Sequence, residues 1–231
     1  MNRLVLIILL FAVVSCNYDN QKQQFISARL SNWDEKLADQ YSQISDSLSS
    51  IDTKELSTQN RHYHSLLSAI AGTWSGKRLI NDSALLKATS WFRSRKDYRN
   101  VCRAIIYNRS NLEEQYDRLI EAEELFNRHK INDSLTEAYL YMYLSEAIFR
   151  SSAGVSLSRQ TAAQKSESYK SMSVEIFMKI GRLREAQNLL INSYNLYPVY
   201  MTPEKKLDNL KEIELFDTIY PEVKAKLLMI Y

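Results

Sequence analysis

Residues 178–198 read MKIGRLREAQNLLINSYNLYP and belong to the best copy of a pattern that recurs along the chain. Val174, just before this segment, is followed three residues later by Phe177, and Ala186 and Pro198 follow Val174 at two equal intervals. The pair of a small residue and an aromatic residue three positions later also occurs at Ala71/Trp74, Ala104/Tyr107 and Ala138/Tyr141, so that the successive spacings are 33, 34 and 36. Internal periods of roughly 20 to 50 residues are typical of repeat arrays, and this one predicts an array of helices.

The scarcity of turn-forming residues supports an all-helical chain. Among 231 residues there are 4 glycines and 3 prolines, and the first proline is Pro198. A β-rich fold of this size needs many more residues of these types at its turns. We therefore expect an all-α fold.

Helical faces and helix starts can be read along the chain. Asp97 is placed to begin one helix, and the sequence INDS occurs at 80–83 and at 131–134, each time ahead of a helical apolar pattern. Asn or Asp at such a position can cap the first turn. Six apolar residues spaced by three or four predict the first helical face of the folded domain: Trp33, Leu37, Tyr41, Ile44, Leu48 and Ile51.

The recurring pattern resembles the tetratricopeptide repeat family over roughly residues 61–200. Ala186, Leu190 and Pro198 match that family's positions in the second helix and at its end. The resemblance implies an α-solenoid of antiparallel helix pairs over residues 31–231. The earlier copies depart from the pattern, since Tyr116 and Arg150 occupy the positions equivalent to Ala186, and the third copy favours a longer first helix over residues 133–151. An unrelated helical bundle is the alternative.

The resemblance also implies a partner-binding groove, because the first helices of successive pairs line the concave face in that family. The groove positions carried over from the repeated pairs are Asn108, Arg109, Tyr139, Met142, Tyr143, Met178 and Lys179. If Tyr141 is the core aromatic residue of its copy, Tyr139 and Tyr143 are left facing the groove, where exposed aromatic residues can anchor a peptide. The alternative is that all three tyrosines pack between neighbouring repeats.

The N-terminus resembles that of a bacterial lipoprotein. An unbroken apolar run from Leu4 to Val14 follows Arg3 and is too short for the ~20 residues that span a bilayer. Val13-Val14-Ser15-Cys16 resembles the lipobox of that family. The resemblance implies cleavage before Cys16 and acylation of Cys16, for example with palmitate. It predicts a signal peptide at residues 1–15, a polar tether at 16–30, and an outer-membrane lipid anchor that faces the periplasm.

Charge and cysteine content exclude some partners. Removal of residues 1–15 takes away Arg3 alone among the charged residues, which leaves 29 basic against 27 acidic residues. This balance does not favour nucleic acid as a partner. Once Cys16 carries lipid, Cys102 is the one thiol left, and we expect it to be a small core residue.

One local excess of basic residues stands out. It consists of Arg93, Arg95, Lys96, Arg99, Arg103 and Arg109. These side chains could meet an acidic partner segment or lipid headgroups, or they could be solvated and paired with acids of another helix.

No residue pattern favours catalysis, a cofactor or a metal. His62 and His64 are two apart on a predicted helix and point to different sides, so they cannot chelate one ion. We expect a lipid-anchored periplasmic adaptor that binds a partner protein or peptide in its groove, and not an enzyme. The alternatives are a sensory input domain related to helical-repeat regulators and, less favoured, an unassigned enzyme.

Overall fold

A computed structural model describes residues 2–77, 82–108, 114–150, 158–196, 208, 210–213, 216 and 218–228. Within these ranges every regular element is helical and none is a strand, so the all-α prediction is confirmed. The chain forms two compact units, residues 1–108 (unit 1) and 109–231 (unit 2).

Nine helices have fully described bounds. Unit 1 contains α1 (Asn2–Ser49), α2 (Thr58–Ser75), α3 (Asp82–Ser94) and α4 (Tyr98–Tyr107), with a 3-10 turn at Thr53–Glu55 between α1 and α2. Unit 2 contains α5 (Gln115–Arg128), α6 (Ser134–Arg150), α7 (Arg159–Lys179), α8 (Leu183–Leu196) and α9 (Pro221–Leu227).

In unit 1, α1 runs alongside α2 and changes direction relative to it at Gln40. The backbone angles of Gln40, φ −126° and ψ 27°, are not helical. The hydrogen-bonded pairs between the two helices, in order along α1, are Gln23/Asn60, Asp34/Tyr63, Ser45/Ser75 and Leu48/His64. Over the first three pairs the partner residue lies progressively further along α2. In the fourth pair it lies back at His64, and this reversal shows the change of direction.

Residues 16–30, expected to form a polar tether, are helical, and side chains from Lys22 onward contact the rest of unit 1. The Nζ of Lys22 lies 2.8 Å from a carboxylate oxygen of Glu55, and the side chain of Gln23 accepts from the backbone N–H of Ser57 at 2.8 Å. Leu30 is fully buried. The packed part of the chain therefore includes residues from 22 onward.

In unit 2, successive helices pack against each other, and α6 and α7 form the longest contact. The hydroxyl of Ser166 donates to the carbonyl of Ser145, and that of Ser173 donates to the carbonyl of Ala138, both at 2.8 Å. As the chain advances along α7 its partners move back along α6, so the two helices are antiparallel. Phe177 is fully buried beside this contact.

Two helix starts in the described residues match the sequence analysis. Asp97 accepts from the backbone N–H of Asn100 at 3.2 Å at the start of α4, and Asp133 accepts from that of Thr136 at 3.0 Å at the start of α6. The bounds of α6, Ser134–Arg150, also fit the long helix expected over 133–151. The earlier INDS begins at residues 80–81, which lie outside the described residues.

Four helices end with the same backbone motif, in which one residue adopts a left-handed conformation. These residues are Gly76 (φ 68°), Lys96 (φ 60°), Lys130 (φ 49°) and Gly181 (φ 75°). In each case the N–H of the left-handed residue donates to the carbonyl three residues earlier, and the next N–H donates to the carbonyl five residues earlier. This pair of bonds is the Schellman motif, which satisfies the last carbonyls of a helix.

Three links between helices are short and fully described. They join α3 to α4 (95–97), α5 to α6 (129–133) and α7 to α8 (180–182), whereas the intervals before α3, α5 and α7 include residues outside the described ranges. A short link forces two successive helices to lie antiparallel as neighbours. By this criterion α3, α5 and α7 are first helices of hairpins, and α4, α6 and α8 are second helices.

Glycine at either left-handed lysine should stabilise the protein. Lys96→Gly and Lys130→Gly should each raise the free energy of unfolding by about 0.5–1 kcal/mol, because glycine adopts this backbone without the steric cost of a Cβ. Gly181→Ala should lower it by about 1 kcal/mol for the same reason. A Cβ at Gly181 meets no atom within 4 Å, so the loss would come from the backbone alone. Urea denaturation measures all three, and a loss of stability in both lysine variants would contradict the prediction.

Candidate functional site

The structure buries the two tyrosines that were expected to line a groove. Tyr139 is 9% exposed and Tyr143 is 4% exposed. Their rings stack with centroids 6.3 Å apart, and Tyr139 meets Phe177 edge-on at 5.2 Å. The expectation that Tyr139 and Tyr143 face an open groove is therefore wrong, and the packing alternative holds for them and for Tyr141, which stacks on Tyr169. The physical reason is that α6 packs against both α5 and α7, so it has little free surface.

The other carried-over positions differ in exposure. Asn108 is buried at the C-terminal end of α4, and Arg109 lies outside the described residues. Met142 on α6 is half-buried, whereas Met178 on α7 is 48% exposed and Lys179 is exposed. Of the seven positions, Met178 and Lys179 are thus the ones that the structure places at an open surface.

The hairpin pairing explains this division. The repeated pairs Ala104/Tyr107 and Ala138/Tyr141 lie on α4 and α6, which are second helices, whereas Val174/Phe177 lies on α7, a first helix. The resemblance places a groove on first helices, so positions counted from the second-helix pairs fall on the other helix of each hairpin. The regular spacing of the first three pairs relates α2, α4 and α6. The fourth pair, which follows the longest spacing, lies on α7, a first helix.

Counting from the left-handed residue gives equivalent positions on all three first helices. Met178 and Lys179 precede Gly181 by three and two residues, and the equivalents are Arg93 and Ser94 before Lys96, and Asn127 and Arg128 before Lys130; all six are exposed. A buried phenylalanine stands four residues before three of the left-handed positions, as Phe92, Phe126 and Phe177. A search for a phenylalanine four residues before the second residue of each short link would have aligned the three hairpins correctly, which the pairs of small and aromatic residues did not.

In unit 2 two first helices are linked by a half-buried hydrogen bond. The hydroxyl of Tyr169 on α7 donates to the carboxylate of Glu123 on α5 at 3.2 Å. Burial raises the pKa of Glu123 above its usual value, although the bond from Tyr169 opposes the shift. Burial, together with the charges of Glu137 and Glu123, raises the pKa of Tyr141 to about 12. The Tyr169–Glu123 hydrogen bond and the stacking of Tyr141 on Tyr169 connect α5, α6 and α7.

In unit 1 two of the basic residues turn inward onto Asp34. The guanidinium of Arg103 binds both carboxylate oxygens of Asp34, one of them at 2.9 Å, and the guanidinium of Arg99 lies 3.5 Å away. The hydroxyl of Tyr63 donates to the same carboxylate at 2.7 Å. The network therefore connects α1, α2 and α4, and for Arg99 and Arg103 the alternative of pairing with an acid holds.

The network controls the ionisation of its members. Burial acts to raise the pKa of Asp34, but the charge and hydrogen bonds of Arg103 and the hydrogen bond from Tyr63 outweigh it, so the pKa lies below its ordinary value of 3.8. Burial and the negative charge of Asp34 raise the pKa of the Tyr63 hydroxyl. Asp34 thus stays ionised and Tyr63 stays protonated at neutral pH, as a structural tie requires.

The surroundings of His64 and Cys102 also indicate a structural role. The ring of His64 is buried and its Nε2 donates to the carbonyl of Leu48 at 3.0 Å, and burial lowers its pKa. Cys102 is a buried thiol. Among the described residues no three His, Cys, Asp or Glu side chains are grouped to hold a metal ion. In the same part of the chain no helix is both long and apolar enough to cross a membrane.

No protein-family model, curated protein or solved structure matches this chain. A functional proposal therefore depends on the residues and geometry described above.

Removal of Arg103 should destabilise unit 1 strongly. Arg103→Met should lower the free energy of unfolding by about 3 kcal/mol, near the lower limit for a broken buried ion pair, because Arg99 can still approach Asp34. Combining it with Asp34→Leu should restore most of the loss, since no buried charge is then left without its partner. Urea denaturation of the two variants checks this, and a double variant no more stable than Arg103→Met would count against it.

Truncation of the buried tyrosines should also cost stability. Tyr139→Ala and Tyr143→Ala should each lower the free energy of unfolding by about 3 kcal/mol or more, the usual cost of removing a large buried aromatic ring. Met178→Ala, on the exposed end of α7, should change it by less than about 0.5 kcal/mol. Thermal denaturation distinguishes the cases, and tyrosine variants as stable as Met178→Ala would contradict the burial.

Proposed function

We propose that this protein is a lipid-anchored periplasmic adaptor, built from tetratricopeptide-like helical hairpins arranged as an α-solenoid, which holds a segment of a partner protein on its first helices. The observation that carries this proposal is the repeated hairpin. Three short links, two of them closed at a left-handed lysine and one at Gly181, follow α3, α5 and α7. Repetition of one helix pair is the basis of solenoid architecture.

The proposed partner surface in unit 2 lies on α5 and α7. Its α5 positions are Asp117, Ile120, Glu124 and Asn127, and its α7 positions are Ser168, Ser171, Glu175 and Met178. On each helix the four positions are spaced by three or four residues and therefore lie on one face. All of them except the half-buried Ile120 are exposed. The two stripes are held near each other by the Tyr169–Glu123 bond.

The chemistry of this surface suits a mixed polar segment. Asp117, Glu124 and Glu175 supply exposed negative charge, and Met178 supplies a flexible apolar contact. Methionine adapts to irregular partners, and acidic side chains orient basic ones through electrostatic complementarity. The expected occupant is therefore a protein segment that presents basic and apolar side chains.

The proposed location comes from the N-terminal sequence. Val13-Val14-Ser15-Cys16 resembles a lipobox, and the thiol of Cys16 is the group that such a lipid modification requires. Cys16→Ala should abolish incorporation of labelled palmitate and release the protein from membranes. Retention of the label in this variant would contradict the anchor.

A photoreactive amino acid placed at Ser171 tests the partner surface in cells. Crosslinking should join the chain to a defined partner from Ser171 and not from Lys224, an exposed control position on α9. Met178→Glu should weaken the captured complex by roughly tenfold, since partial burial of a methionine is worth about 1.5 kcal/mol. The same crosslinks from both positions, or none from Ser171, would overturn this surface.

A further inference from the structure

Several elements of unit 1 meet at one end of that unit. Lys22 on α1 pairs with Glu55, just before α2 begins. Near the start of α2 the ring of His62 lies 5.3 Å from the ring of Trp91, which is near the end of α3. The start of α2, the segment of α1 around residue 22 and the α3–α4 turn at 95–97 therefore lie at the same end, which we call the anchor-proximal end.

The backbone of α1 connects this end directly to Cys16. α1 is helical from Asn2 to Ser49, so the six residues from Cys16 to Lys22 advance about 9 Å at a rise of about 1.5 Å per residue. A lipid on Cys16 would keep the anchor-proximal end within about this distance of the bilayer.

This end carries an excess of exposed positive charge. Its exposed basic residues are Lys22, Lys54, Arg61, Arg93, Arg95 and Lys96. The acidic residues at this end whose side chains the structure describes are Asp52, Glu55 and Asp97. Asp52 and Asp97 accept backbone N–H groups, and Glu55 pairs with Lys22. Lysine and arginine near a membrane surface are attracted to anionic lipids within a Debye length.

Aromatic residues accompany the basic ones. The ring of Phe25, one turn beyond Lys22 on α1, is 70% exposed, an unusual position for a large apolar side chain. The guanidinium of Arg95 lies over the ring of Trp91 at 4.1 Å. Aromatic rings beside cationic groups are favoured at the boundary between lipid and water.

We infer that the anchor-proximal end of unit 1 contacts the membrane and binds anionic lipid headgroups through Lys54, Arg61, Arg95 and Lys96, with Phe25 and Trp91 at the lipid boundary. The inference rests on the proposed lipid anchor at Cys16. It assigns Arg95 and Lys96 to a lipid surface and distinguishes them from Arg99 and Arg103, which bind Asp34.

Quenching by brominated lipids tests the contact with the full chain purified from the membranes of a Gram-negative host. One variant keeps Trp91 and the other keeps Trp74, the remaining tryptophans being changed to phenylalanine. Trp74 packs between Tyr41 and Tyr107, about 18 Å further along α2 than His62 at the helical rise, and serves as the matched control. Vesicles of brominated phosphatidylglycerol and phosphatidylcholine should remove much of the Trp91 emission and little of the Trp74 emission.

A charge reversal tests the role of the basic residues. Lys54→Glu with Arg95→Glu should cause a large loss of Trp91 quenching, and so should vesicles of brominated phosphatidylcholine alone. Lys36→Glu with Lys87→Glu makes the same change of charge at exposed positions of α1 and α3 away from the turns, and should leave the quenching unchanged.

The outcomes separate this inference from the anchor. Mass spectrometry of the purified chain shows whether Cys16 carries lipid, and a chain without lipid would overturn the proposed anchor. A lipidated chain whose Trp91 is quenched no more than Trp74, or whose quenching ignores the charge reversal, would overturn the lipid contact alone. Either of these two results would favour the competing assignment, in which Arg95 and Lys96 bind an acidic segment of a partner protein.

Discussion

A residue in the left-handed conformation at the end of a helix is the constraint on which the hairpins of this protein depend. At that residue the last carbonyls of the helix receive two backbone N–H groups, and the chain turns back at once. Glycine accepts the conformation without cost at Gly76 and Gly181, whereas lysine accepts it at a cost of about 1 kcal/mol at Lys96 and Lys130. Packing of the helices after each turn must offset that cost. At Lys96, Lys130 and Gly181 this residue opens a short link, and the short links decide which helix comes first in each hairpin.

The sequence was sufficient for the fold class and for several local features, because these depend on short-range chemistry. Few turn residues predicted helices, and carboxylates at Asp97 and Asp133 marked two helix starts that the structure confirms. The hairpin turns were harder to predict. Gly181 is recognisable as a turn residue, but Lys96 and Lys130 give no such sign, since lysine is common in helices and rare at positive φ. Without those turns, Ala104 and Ala138 were assigned to first helices, and Tyr139 and Tyr143 to a groove.

The division of the basic cluster into buried and exposed residues shows a second limit of prediction from sequence. Arg95 and Arg103 are close together in the sequence, yet Arg103 is buried and Arg95 is exposed. The difference comes from Asp34, which lies 69 residues before Arg103 and has no sequence pattern that relates it to α4. A buried carboxylate needs a charged or hydrogen-bonding partner, and Arg103 supplies two parallel bonds where Tyr63 supplies one. Such long-range pairing is decided by packing, so only the structure can divide a charged run into a structural part and a surface part.

The helical form of α1 changes what a lipid on Cys16 would do. A flexible polar tether over residues 16–30 would restrict the protein to the membrane surface and leave its orientation free. A helix that enters the packed unit by residue 22 leaves little slack, so the anchor would restrict orientation as well as position. A protein whose orientation is already restrained loses less rotational freedom when it binds a partner at the membrane. A short helical connection would therefore raise the effective concentration of the anchor-proximal end of unit 1 at the lipid surface more than a long coil could.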